Sequence, residues 1–243
     1  NMICLTGDTH GDFSRFATKR FKKQTEMNKN DFVIICGDFG IWSKKDKYFL
    51  DWLESKPFTT LFVDGNHENY DLLKEYSIEN WNGGLVQKIR PSVIHLMRGQ
   101  VYNFHNKTVF TMGGAKSHDI NDGILEPDDK NLKRKIRILN KRNAMYRINH
   151  VSWWKEEMPN KSEYKLALAN LEKVNWKIDM IISHCAPSSI VQKIGDGFYK
   201  TDELTDFFET IKNKCEFKYW FFGHYHDNAI IDDKFILLYD AIV

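Results

Sequence analysis

Five apolar runs punctuate the chain, and each stops at a turn rich in Gly or short polar residues. They are Met2–Leu5 before Gly7-Asp8, Phe32–Cys36 before Gly37-Asp38, Leu61–Val63 before Asp64-Gly65-Asn66-His67, Met180–Ile182 before Ser183-His184, and Tyr219–Phe222 before Gly223-His224. Short apolar runs bounded in this way predict buried parallel strands. Between the first runs lie Asp12–Asn28, with Phe13, Phe16, Ala17 and Phe21 among many lysines, and Lys44–Ser55. Both read as amphipathic helices, the first capped by Asp12 or Ser14. Strand, turn and helix in repetition predict a parallel α/β arrangement.

After a predicted helix over Asn69–Ser77 the rhythm changes. Ser92–Leu96, Gln100–Phe104 and Thr108–Met112 are short, close strand candidates, with Asn106-Lys107 as a hairpin turn, and they predict antiparallel pairing. Helices are expected over Tyr164–Trp176 and Asp202–Lys212, the latter capped by Thr201, and final strands over Ala229–Ile231 and Phe235–Leu238. Residues 115–162 are polar and poorly periodic, with a basic tract from Lys130 to Arg147 that contains eight Lys/Arg and no acid. That tract reads either as a solvated helix face on a surface insertion or as a lid or phosphate-attracting wall beside an active site, and Lys116 and Arg147 of the insertion are candidates to reach substrate phosphate. Trp153-Trp154 would anchor the insertion. No linker or repeat divides the chain, so 1–243 is expected to form one domain.

Composition narrows the class. With 42% apolar and 14% aromatic residues the 243-residue chain carries a large core, and a net charge of +2 is too small to imply a polyanion partner by itself. Cys4, Cys36, Cys185 and Cys215 lack any Cys-x-x-Cys spacing, which predicts reduced thiols and a cytoplasmic location. No apolar run nears the roughly 18 residues that span a bilayer. Met2–Leu5, followed by Gly7-Asp8, lacks a signal peptide's basic and apolar regions.

The chemistry collects where the five runs end: Asp8, His10, Asp38, Asn66, His67, His184, His224 and His226. In α/β sheets ligands bind outside the carboxyl ends of the strands, so these groups are expected at one edge. A mixed N/O donor set suits Mn²⁺, Fe or Zn²⁺ better than Mg²⁺ or Ca²⁺. Seven ligands exceed what one ion needs, whereas two divalent ions about 3.5–4 Å apart that share a carboxylate fit the count.

In order and type, Gly7-Asp8-x-His10, Gly37-Asp38, Gly65-Asn66-His67-Glu68, His184 and Gly223-His224-x-His226 resemble the five-block signature of the calcineurin-like metallophosphoesterases. The resemblance implies an α/β fold: a β sandwich of mixed sheets flanked by helices. It also implies one metal held by Asp8, His10 and His226, a second held by Asn66, His184 and His224, with Asp38 bridging. His67 then faces the substrate as general acid, for leaving groups that depart poorly unless protonated. The expected function is dinuclear metal-dependent phosphoester hydrolysis, in which a metal-held hydroxide attacks phosphorus. A phosphodiester such as a nucleotide or nucleic-acid end is preferred as substrate because of the basic tract.

The chain departs from the family's Ser/Thr phosphatases. Those extend the second block to Gly-Asp-x-Val-Asp-Arg-Gly and place Arg before the third, where this sequence has Gly37-Asp38-Phe39-Gly40-Ile41-Trp42 and Asp64. Phosphomonoesterases, protein phosphatase included, therefore rank second, and a non-catalytic scaffold third, since all seven ligand positions and His67 are present. Glu68 is expected to structure its turn, and Asp12 to cap. Of the histidines outside the blocks, His95, His105, His118 and His150, only His118 is placed near the site.

Overall fold

The computed structural model describes residues 1–41 and 43–243; Trp42, quoted for the second block, lies outside them. Among the described residues the chain forms two six-stranded mixed sheets and a small two-stranded one. The first sheet is built from β1 (Ile3–Thr6), β2 (Phe32–Cys36), β3 (Thr59–Val63), β4 (Ile78–Trp81), β5 (Gly84–Arg90) and β6 (Val93–Leu96) in the order β1-β2-β3-β6-β5-β4. After Leu96 the chain crosses to the second sheet, which begins with β7 (Gln100–Phe104) and β8 (Lys107–Met112). β9 (Ile124–Leu125) and β10 (Arg147–Ile148) pair with each other. β11 (Lys177–Ser183), β12 (Glu216–Phe222), β13 (Ala229–Ile231) and β14 (Phe235–Leu237) complete the second sheet in the order β13-β14-β12-β11-β8-β7.

Helices α1 (Lys47–Glu54) and α2 (Tyr70–Leu73) cover the first sheet. α3 (Leu132–Lys141) lies in the polar insertion, and α4 (Lys161–Lys173), α5 (Ser188–Lys193) and α6 (Glu203–Lys214) cover the second sheet. The layering follows from strand alternation. On β2, Val33 and Ile35 pack outward with Leu50 and Leu53, while Phe32, Ile34 and Cys36 face inward against Phe104, Met180 and Phe221 of the second sheet. Period-2 strands with both faces apolar require a layer on each side, and the result is a helix–sheet–sheet–helix sandwich.

The structure corrects several expected elements. Asp12–Asn28 is not one helix but two 3₁₀ turns, Ser14–Phe16 and Lys22–Glu26, separated by an extended Ala17. Its buried residues, Phe13, Phe16, Phe21, Gln24 and Met27, would fit one helical face, so local spacing does not account for the break. Arg15 is pulled inward to the Thr6 hydroxyl at 2.8 Å, the Asp8 carbonyl at 2.6 Å and the Tyr239 carbonyl. The helix expected over Asn69–Ser77 stops at Leu73, because a β4–β5 hairpin follows. Asn82-Gly83 supplies two positive φ values, 48° and 92°, as a two-residue hairpin turn demands. Ser92–Leu96 does not join β7 and β8; β6 pairs parallel with β3 and antiparallel with β5. The β7–β8 turn is His105-Asn106, and Asp202, not Thr201, caps α6 through the amides of Leu204 and Thr205.

Behind the end of β3 a buried polar network fixes the turn. Asp64 accepts from Arg98 at 2.8 and 3.0 Å and from Tyr70 at 2.9 Å, and His95 Nε2 lies 2.8 Å from its other oxygen. Burial pushes this carboxyl up, but the Arg98 guanidinium and His95 outweigh it and hold it below the usual carboxylate range. Removing one partner from such a pair costs far more than the pair itself contributes. Arg98→Met should therefore lower unfolding free energy by about 3–5 kcal/mol in urea titrations. A loss under about 1 kcal/mol would show that Asp64 finds another partner.

Candidate metal centre

All eight predicted site residues converge where the two sheets meet, at the carboxyl ends of β1, β2, β3, β11 and β12. The side chains of Asp8, His10 and His226 bring one potential ligand atom each to within 4.8 Å of one another, and so do Asp38, His184 and His224. Asp8 Oδ2 lies 3.1 Å from His226 Nε2 and 3.3 Å from His10 Nε2, and the two imidazole nitrogens are 3.3 Å apart. In the other cluster His184 Nε2 lies 3.2 Å from Asp38 Oδ1 and 3.3 Å from Asn66 Oδ1. The His67 amide donates to Asp38 Oδ1 at 2.8 Å, and the His67 ring is tilted against that of His10 at 5.2 Å.

The backbone is bent to make this possible. His10, Asp38, His224 and His226 take φ values of 48°, 50°, 75° and 49°, in a left-handed region that costs on the order of 1 kcal/mol for a non-glycine residue. A Cβ on Gly37 would strike the His184 ring, and one on Gly65 would strike the Asp38 carboxylate. These glycines let the carboxylate and imidazole approach closely.

Two features test whether divalent cations suit this cluster. Asp38 Oδ2 is buried and accepts no hydrogen bond, although it lies 3.6 Å from His10 Nε2 and 4.0 Å from His67 Nε2. A buried carboxylate oxygen left in this way needs a positive partner. The second feature is the tautomer of His184. Its Nδ1 lies 2.7 Å from the Cys36 carbonyl, which can only accept, so once the ring gives up its second proton it is Nε2 that carries the lone pair, towards Asp38 and Asn66. The donor set fits.

Electrostatics agree. Burial works against a charge on His184, yet the Asp38 and Asp8 carboxylates outweigh it and raise this imidazole to about 10, so without other cations the pocket retains a proton there. Burial also pushes Asp8 up, but His184 and the hydrogen bonds from His10, His226 and the His224 amide hold it well below the usual range. His224 is driven well down by burial and by neighbouring His184 and His118, leaving it neutral. The hydrogen bond to Asp8 raises His226.

Residues 115–162 reach into the centre from behind. Asn66 Nδ2 lies 3.3 Å from Ser117 Oγ, and Glu157 accepts from both the Ser117 hydroxyl and its amide at 2.6 Å. Trp154 is buried under the first sheet's helices and donates to Asp71 at 2.7 Å, which anchors the segment. Nothing in the local sequence marked Ser117, Glu157 or Arg15 as site neighbours, because their contacts span 51, 40 and 224 positions. Arg147 is held by Asp119 and by the Ser152 carbonyl at 2.9 Å. Lys116 is exposed, and α3 buries only Leu139 among its residues.

The remaining predicted residues have local partners. Glu68 accepts from the Gly40 amide at 3.0 Å, and Asp12 from the Ser14 amide at 2.9 Å. His95 bridges Asp64 and Gln87, His105 stacks on Phe32, and His150 pairs with Asp71. His118 lies against His224 with ring centroids 4.4 Å apart.

A mixed-sheet sandwich with two N/O clusters at its strand ends has the architecture of a metallophosphoesterase. The chain belongs to the calcineurin-like phosphoesterase family, which matches residues 2–228. It is 22% identical to lariat debranching enzyme A of Xenopus laevis over 77% of this chain and 33% of that protein. It is 21% identical to the Homo sapiens lariat debranching enzyme over 92% of this chain and 42% of that protein. The chain thus spans between a third and somewhat over two fifths of the length of these relatives. A phosphopantetheinyl hydrolase from Mycobacterium tuberculosis superposes over 98% of this chain and 90% of its own, with TM-score 0.46 and 13% identity.

Burial raises Glu157 to about 7, against the hydrogen bonds from Ser117. The folded state therefore holds a proton that the unfolded chain releases near pH 4.5, and stability falls as pH rises from there through 7. The decline attributable to this group is on the order of 3 kcal/mol. Glu157→Gln should flatten that part of the profile of unfolding free energy against pH. An unchanged slope would assign it to other groups.

Proposed function

We propose that this chain is a dinuclear metal-dependent phosphodiesterase. The observation that carries the reading is the buried Asp38 carboxylate, a member of one ligand triad and 3.6 Å from His10 of the other, with one of its oxygens lacking a hydrogen bond. Asp8, His10 and His226 would hold one cation, and His184, His224 and Asn66 the other, with Asp38 shared. Mn²⁺, Fe or Zn²⁺ suits these donors. Bound, such cations stabilise charge on phosphoryl oxygens and acidify a water for in-line attack.

The chain's own residues position and protonate. Asp8 Oδ1 accepts the His224 amide at 2.9 Å and so ties the ends of β1 and β12 together. Cys36, through its carbonyl, orients His184. His67, partly exposed beside Asp38 and His10, would hand a proton to the leaving oxygen. Burial lowers its pKa, while Asp38 opposes that shift. An anionic phosphoester at the site would favour its charged form.

Similarity to lariat debranching enzymes supports a nucleic-acid phosphodiester over a monoester. We further propose that 1–243 acts as one metallophosphoesterase domain with 115–162 as an insertion, which the Ser117–Glu157 contacts support. Four buried free thiols suit a reducing cytoplasm, and among the described residues no helix is long and apolar enough to cross a membrane.

With Mn²⁺ supplied, bis-p-nitrophenyl phosphate should be cleaved in preference to p-nitrophenyl phosphate. Asp38→Asn should abolish turnover and reduce metal content per chain. Cleavage of the monoester alone would install a phosphatase reading, and bound metal without turnover of either ester would revive the scaffold.

His67→Ala should cost about 10²–10⁴-fold in kcat on alkyl leaving groups, which need the proton, and much less on p-nitrophenolate, which does not. Equal losses on both would remove His67 from the acid role.

A further inference from the structure

Beside the second triad the surface opens into a cavity of about 540 Å³, walled by Lys116, His118, Met145, Phe198, Tyr199 and Lys200 among others. Two of its lining residues touch residues of the metal centre. His118 packs on His224 at 4.4 Å, and Ser117, also in the lining, contacts Asn66. The far wall is aromatic. Phe198 is 78% exposed and stands edge-on to Tyr199 at 5.2 Å, while Tyr199 is held by Tyr225 at 4.8 Å and His118 at 5.2 Å.

A phenyl ring that exposed is costly beside water and inexpensive beside a ligand with a flat face. The polar part of the lining narrows the ligand further. Asp119 is already paired with Arg147, and Asp202 caps α6 through Oδ1, so both acids are engaged with the protein. Lys116 and Lys200 add exposed positive charge. Rings, cations and a short path to a phosphoryl site match a nucleoside joined to an anionic phosphodiester; an aliphatic group would leave the cations unused. The volume lies within the usual range for small-molecule sites.

We propose that this cavity seats the nucleoside on one side of the scissile phosphate, its base against Phe198 and Tyr199. The inference rests on the phosphodiesterase reading above and gives it a substrate class. Recognition is by stacking, so it is tolerant of base identity.

The test compares thymidine 5′-(p-nitrophenyl phosphate) with methyl p-nitrophenyl phosphate, which share a leaving group and differ by the nucleoside. Their ratio of kcat/KM should fall about tenfold in Phe198→Ala. Ile230→Ala, an exposed substitution on β13, should leave the ratio as in the wild type. Calorimetric binding of adenosine 5′-monophosphate to the metal-loaded protein gives a readout independent of turnover, and its Kd should weaken about tenfold in Phe198→Ala. An unchanged ratio together with unchanged binding would overturn the nucleoside site. Loss of nucleotide binding in Phe198→Ala, in a protein that cleaves neither ester, would keep the site and overturn the activity. Equal losses on both esters without loss of binding would give the wall to the aryl leaving group and overturn the assignment.

Discussion

Two carboxylates, Asp8 and Asp38, are buried within a few ångströms of one imidazole at the seam between two sheets, and the placement of the surrounding groups answers to that concentration of negative charge. His184 lies 3.9 Å from Asp8 and 3.2 Å from Asp38. In low dielectric such acids are tolerated only with positive charge or donors around them. The left-handed backbones of His10, Asp38, His224 and His226 and the bare Gly37 and Gly65 bring the donors close enough. Without the charges, those strained turns would have no compensation.

The fold was legible where burial writes itself into local pattern. The five apolar runs are β1, β2, β3, β11 and β12, because parallel strands covered on both faces must be apolar throughout. Sequence failed where long-range contacts overruled local preference. Arg15 breaks a helix to serve the ends of distant strands, and β6 joins the first sheet through β3 and β5. The Asn82-Gly83 hairpin carried a plain local signal that went unread.

The same contrast holds at the site. Each of the eight clustered residues stood beside a strand end, where the sequence already showed it. What holds them in place did not show there: Ser117 and Glu157 come from the segment with the weakest periodicity, and the carbonyl that orients His184 belongs to Cys36, a residue whose side chain suggests only core. A backbone acceptor has no residue-type signature. The cavity beside His224 likewise draws on segments far apart in the chain, among them 116–121 and 198–202, that no spacing relates.

The seam also sets an order of assembly. Residues through Leu96 complete the first sheet and supply Asp8, His10, Asp38, Asn66 and His67, but His184, His224 and His226 belong to the second. A growing chain therefore exposes an acidic half-site from early in synthesis and cannot close it until β12 has emerged and docked. During that interval the half-site is a handful of hydrated groups, and the buried surroundings that would discriminate among cations exist only once the second sheet has docked.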